Sequence, residues 1–153
     1  MTYGESVRLD FAGALEMLDL VQVVGEHMAR TSGLNGEALH WVSIAVRESV
    51  INAIEHGNCN DAEKRVYLEF TTLSDDAPGL QIKVRDEGCG FDPASLLDPL
   101  APDNLLKANG RGIFLIRSFM DELMFERTPE GATQVVMVKW VAGDSGDFPR
   151  ASR

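Results

Sequence analysis

Glu48 and Asn52 stand four residues apart in the run RESVINAIEHGN, from Arg47 to Asn58. On a helix that spacing puts a carboxylate and an amide on one face, a turn apart. A carboxylate can take a proton, and an amide oxygen can hold a hard cation such as Mg2+. Two glycine clusters follow, DEGCGFD (Asp86 to Asp92) and NGRGIFLI (Asn109 to Ile116). Together the three segments suggest a nucleotide site that can also do chemistry; taken alone, the helical pair reads as a surface stripe or as a hydrogen bond to a neighbouring loop.

Asp86 ends an alternating apolar run, directly before Glu87-Gly88-Cys89-Gly90. An ionised carboxylate only accepts hydrogen bonds. Adenine offers an exocyclic amine where guanine offers an oxygen, so a buried Asp86 favours adenine. Gly88 and Gly90 allow a sharp turn and close approach of a flat base. The plainer alternative is a turn carrying a solvated aspartate. Gly110-Arg111-Gly112 precedes a helix starting near Ile113. Free N–H groups at a helix start suit phosphate, and the Arg111 fork adds charge. An ordinary loop-to-helix junction would look similar, and no GxxxxGK[ST] loop occurs in the chain. Thr133, in Gly131-Ala132-Thr133, is placed to bond the adenine edge beside Asp86, or simply to open a strand. His56 reads as a capping histidine or, one turn beyond Asn52, as a phosphate contact.

The elements that must position these residues are legible from periodicity. Glu5 to Phe11 alternates as a first strand, and Ala14 to Arg30 follows a helical pattern. Glu37 to His56 forms a long helix, its stripe running through Leu39, Val42, Val46, Val50 and Ala53. Gly57 just after it reads as a C-cap. Val66 to Thr72 and Leu80 to Val84 read as strands joined by SDDAPG. Pro93 to Leu97 reads as a helical turn inside a lid running from Asp92 to Asn109. Gly112 to Phe119 restarts a helix, and Leu123 to Arg127 and Gln134 to Val141 close with two strands. The order β-α-α-β-β-lid-α-β-β predicts an α+β two-layer sandwich. Its sheet is expected to be mixed, mostly antiparallel, with helices on one face. One domain over 1–143 is expected, with a polar tail over 144–153.

Composition narrows the classes. The 153 residues carry a formal charge of −10, which argues against direct nucleic-acid binding. No apolar run approaches the roughly 18 residues that cross a bilayer. The start lacks a signal-peptide pattern, so a cytoplasmic address is expected. Cys59 and Cys89 match no metal-ligand spacing and need no disulfide.

ESVINAIEHGN resembles the N-box of the ATP-binding superfamily that includes gyrase, histidine kinases and the MutL mismatch-repair protein. DEGCGFD resembles its first glycine box, NGRGIFLI its second, and GAT its late Gly-x-Thr. These ordered motifs cover the chain from the first strand to Val141 and imply the Bergerat-type ATP-binding fold. Within the superfamily the chain most resembles the stand-alone bacterial anti-sigma factor serine/threonine kinases, through FLIRSFMDEL, its length and its lack of a phosphoacceptor domain. That resemblance implies ATP and Mg2+ as ligands. It makes Glu48 the general base, Asn52 the Mg2+ ligand and Asp86 the adenine contact, with Gly90 and Thr133 nearby. Gly110, Arg111 and Gly112 would hold phosphates. It implies a sigma factor and a small antagonist protein as partners, and a homodimer for which no motif stands in the chain. Two alternatives stay open: a nucleotide-gated binding module without kinase activity, and a detached histidine-kinase catalytic domain.

Overall fold

Alternation of apolar and polar residues makes strands with one wet and one dry face, and five such strands form one sheet in the computed structural model. The structure describes residues 2–88 and 111–142, with only the backbone course described for 111–114. The strands are β1 (Thr2–Ala12), β2 (Arg65–Ser74), β3 (Pro78–Arg85), β4 (Glu122–Arg127) and β5 (Thr133–Trp140). Their order is β1-β2-β3-β5-β4. All four pairings are antiparallel, so among the described residues the sheet is not mixed. The expected α+β sandwich otherwise stands.

Register fixes which residues face the helices. Leu9, Leu68, Val84, Val135 and Phe125 run across the sheet in one row, and Val7, Phe70, Ile82, Met137 and Leu123 in the next. These rows meet the buried sides of three helices, α1 (Leu18–Thr31), α2 (Gly36–Asn52) and α3 (Arg111–Phe119). The opposite sheet face carries Arg8, Glu69, Lys83, Tyr67 and Arg85. A slip of one residue would exchange the two sets, which is why the register is firm. Phe70, Ile82 and Met137 are wholly buried beneath the helices. Each such side chain contributes about 1.5–3 kcal/mol by leaving water. Phe70→Ala should cost about 3–5 kcal/mol through the cavity it leaves.

Helix contacts are close where small residues permit. A Cβ on Gly25 of α1 would sit 3.2 Å from the Phe70 ring, so glycine lets α1 lie low on the sheet. On α2, Val42, Ala45, Val46, Ser49 and Val50 are buried at helical spacing. The Ser49 hydroxyl is satisfied by the Ala45 carbonyl at 2.7 Å. Trp41 of α2 stacks on Phe119 at the end of α3, with ring centroids 5.3 Å apart. The Lys139 ammonium lies 5.2 Å from the Trp41 ring centre.

Two boundaries differ from the periodic reading. Residues Leu15–Met17 form a 3-10 turn before α1, because the chain leaves β1 extended at Ala14 (φ −113°, ψ 132°) and must tighten to start the helix. The long second helix is α-helical only to Asn52, and Ala53–Gly57 continue it as a π-helix. Gly57 is therefore not a left-handed C-cap; Asn58 caps the turn, donating its N–H to the Ala53 carbonyl at 2.8 Å. Cys59 is disulfide-bonded, against the expectation that no disulfide is needed. Cys89, Gly90, the turn over Pro93 to Leu97, the lid from Asp92 to Asn109, Gly110 and the 144–153 tail lie outside the described residues.

Candidate active site

The helical run of α2 puts Glu48 and Asn52 on one face by the four-residue spacing that sequence predicts. Both are half-buried. Glu48 makes no hydrogen bond or ion pair among the described residues, leaving its carboxylate available. Among the described residues the Asn52 Nδ2 is buried without a hydrogen-bond partner. A buried polar atom left unpaired is rare and unfavourable in a native fold. As a donor this nitrogen suits an acceptor such as a phosphate oxygen, and the amide oxygen is the atom that could face a cation.

The π-turn after Asn52 carries the helix end across to β3. Wide π turns of this sort are frequent at functional sites. It brings Gly57 against Asp86, the first residue beyond β3. A Cβ on Gly57 would lie 2.0 Å from Asp86 Oδ2, so only glycine leaves room for the carboxylate. The glycine is required for space, not for a left-handed backbone.

Asp86 is 4% exposed. Its Oδ1 accepts the backbone N–H of Gly88 at 2.8 Å and of Thr133 at 3.0 Å. Its own N–H donates to the Thr133 carbonyl at 3.1 Å. Burial raises the Asp86 pKa above its ordinary value, opposed by the N–H groups of Thr133 and Gly88 and by the nearby charges of Arg127 and Arg85. Gly88 takes φ +79°, and a Cβ there would meet the Gly131 carbonyl at 2.8 Å, so the turn admits only glycine.

Several residues hold this corner without having stood out in the sequence. Asn58 is 1% exposed and joins the helix end to the Asp86 turn. Lys64 donates its ammonium to the Gly88 carbonyl. Glu87 accepts the Arg65 N–H at 2.7 Å. Arg127 closes β4 beside Thr133. Asn directly after His-Gly is the one signal that could have marked Asn58, since asparagine there has two polar groups to satisfy.

The structure thus brings Asp86, Gly88 and Thr133 together, and puts Glu48 and Asn52 on the helix that ends against them. Thr133 meets Asp86 through its backbone. Arg111, Gly112 and Ile113 form the first residues of α3, and nothing of their side chains enters the description. His56 is exposed. No group of three or more metal-binding side chains occurs among the described residues, so a cation here would rest on Asn52 and its ligand's own oxygens. No described helix is long and apolar enough to cross a membrane.

Residues 11–139 match the family model for the histidine kinase-like ATPase domain. The chain belongs to that family. It is 36% identical over 105 residues to a protein named anti-sigma F factor from Oceanobacillus iheyensis, covering 67% of this chain and 70% of that one. It is 25% identical over 146 residues to the serine-protein kinase RsbW of Listeria monocytogenes, covering 92% and 90%. The Bacillus subtilis protein of the same name is 26% identical over 138 residues, covering 86% and 83%. The resemblance to stand-alone anti-sigma factor kinases therefore holds across most of this ATPase domain.

Proposed function

We propose that this chain is an ATP-dependent protein-serine/threonine kinase that doubles as an anti-sigma factor. It holds a sigma factor inactive and phosphorylates a small antagonist protein, which switches its partner. The names of its relatives support both halves of the reading. The observation that carries the catalytic half is the Glu48 carboxylate, without a partner among the described residues, one turn before the Asn52 amide.

In this reading Asp86 accepts from the adenine amine, with Gly88, Gly90 and Thr133 around the base. Gly110, Arg111, Gly112 and Ile113 hold the phosphates with the start of α3. Asn52 would hold Mg2+, which neutralises charge on the phosphates. Glu48 takes the proton from a serine or threonine hydroxyl as its oxygen bonds to the γ-phosphorus. The bond from that phosphorus to the β–γ bridging oxygen breaks, and ADP leaves. The ATP-binding domain over 1–143 works in the cytoplasm, pairs as a homodimer, and does not contact nucleic acid.

Mass spectrometry of proteins captured from the source cell with Mg-ATP tests this, with Glu48→Gln in parallel. A sigma factor, plus a small protein phosphorylated on Ser or Thr only by the wild type, is the expected result. Partners captured without any Glu48-dependent phosphate would overturn the kinase reading.

A further inference from the structure

Asn58 is fully buried, and both ends of its side-chain amide are used. Its Oδ1 accepts the Glu87 N–H at 2.8 Å, and its Nδ2 donates to the Arg65 carbonyl at 3.1 Å. One side chain thus ties the end of the π-turn to the start of β2 and to the residue following Asp86. Gly57, its neighbour, presses on Asp86 from the other side. A Cβ there would lie 2.0 Å from Oδ2, 2.4 Å from Cγ and 2.7 Å from Cβ of Asp86. The carboxylate is bounded by the Gly57 backbone, and the chain beyond it is pinned by Asn58.

We infer that the Gly57–Asn58 step is the positioning element for base recognition: it fixes where the Asp86 carboxylate stands, and so sets the preference for a 6-amino over a 6-oxo purine. The inference rests on the reading of Asp86 as the adenine contact. Removing the Asn58 amide takes away the partner of the Glu87 N–H and of the Arg65 carbonyl, two part-buried contacts. The chain carrying Asp86 then loses its tie to the end of the π-turn and is free to shift. Adding a methyl at Gly57 drives the carboxylate itself aside. A misplacement near 1 Å is enough to cost a positioned group about a hundredfold in effect. A purely structural role would behave differently, lowering stability and weakening all nucleotides alike.

ADP and IDP share ring, ribose and phosphates and differ at the 6-position, so their Kd ratio reads the placement of Asp86. Isothermal titration on the full chain would compare wild type, Asp86→Asn, Asn58→Ala, Gly57→Ala and the Asp86→Asn/Asn58→Ala double variant. The wild type should prefer ADP at least about tenfold, the scale of a buried hydrogen bond to a charged group. Asn58→Ala and Gly57→Ala should each lose most of that preference. The double variant should discriminate no less than Asp86→Asn alone, because Asn58 acts through Asp86. A wild-type ADP:IDP ratio in either single variant would overturn the inference, whatever its melting temperature. If Asn58→Ala does not fold, Gly57→Ala decides alone, since it leaves the amide clamp in place. Wild type without a preference, or Asp86→Asn with the preference intact, would instead overturn the reading of Asp86 and this inference with it.

Discussion

Asp86 and Thr133 hold each other reciprocally: the Asp86 N–H donates to the Thr133 carbonyl at 3.1 Å, and the Thr133 N–H donates to Asp86 Oδ1 at 3.0 Å. With the Gly88 N–H also on Oδ1 at 2.8 Å, one carboxylate oxygen belongs to the fold. The proposed site uses the other. This division separates what Asp86 does for stability from what it does for binding.

Asp86→Asn keeps a carbonyl oxygen for both N–H groups but faces the adenine amine with a donor. ADP affinity should fall roughly ten- to a hundredfold, as for loss of a charge-assisted hydrogen bond. Thermal stability at neutral pH should hold or rise, because a buried charge is removed. Titration calorimetry beside a thermal melt separates the two effects. Unchanged ADP affinity would sink the placement.

The pH dependence has a definite sign. Burial raises the Asp86 pKa in the folded chain, so between the ordinary and the raised value the folded state binds more protons than the unfolded. The charged carboxylate therefore opposes folding above the raised pKa, and that opposition fades as pH falls through the window. Binding runs the other way: protonated Asp86 stops being a pure acceptor, so ADP affinity falls as pH drops. Asp86→Asn should flatten both trends relative to wild type. Equal pH slopes in the two proteins would contradict the assignment.

Glu48 has no partner among the described residues, so its neutral amide should fit without disturbing the fold. Glu48→Gln should keep ADP binding within about twofold while phosphoryl transfer drops on the order of a hundredfold or more, the range for losing a general base. Single-turnover transfer to a small protein substrate captured as above gives the measurement. Full activity in the variant would remove Glu48 from the chemistry.

In the proposed reading Asn52 gives up stability for a ligand contact, its Nδ2 being buried without a partner among the described residues. Asn52→Leu removes that unsatisfied group, which should stabilise the chain by about 1–3 kcal/mol. The same change should abolish the Mg2+ dependence of ATP binding. Denaturant melts and titrations with and without Mg2+ check both halves. A destabilised variant that still responds to Mg2+ would refute both.

Much of this was legible in the sequence because two periods are hard to mistake. Alternation through β2 and β3 and the three-four stripe of α2 set the sandwich and its dry face. The four-residue step from Glu48 to Asn52 survived intact, since it lies within regular helix. What sequence could not show was the reason for Gly57. Glycine after a helix ordinarily signals a left-handed cap, yet here it stays in the helical turn and makes room for a carboxylate 29 residues further along. Asn58 was hidden for the same cause: its partners, Glu87 and Arg65, are brought near only when the sheet has formed. The backbone clasp of Thr133 on Asp86 was hidden likewise, because it forms only where β3 and β5 pair.

The stack of Trp41 on Phe119 gives the molecule an optical readout of its own. Phe119 ends α3, whose first residues are the proposed phosphate holders, so any tilt of that helix on nucleotide binding moves a ring lying on an indole. The chain has two tryptophans, and the second, Trp140, sits at the end of β5 with its indole N–H on Glu122 at 2.8 Å. With Trp140 replaced by phenylalanine, the emission of Trp41 would report the contact with α3 in real time and without a label.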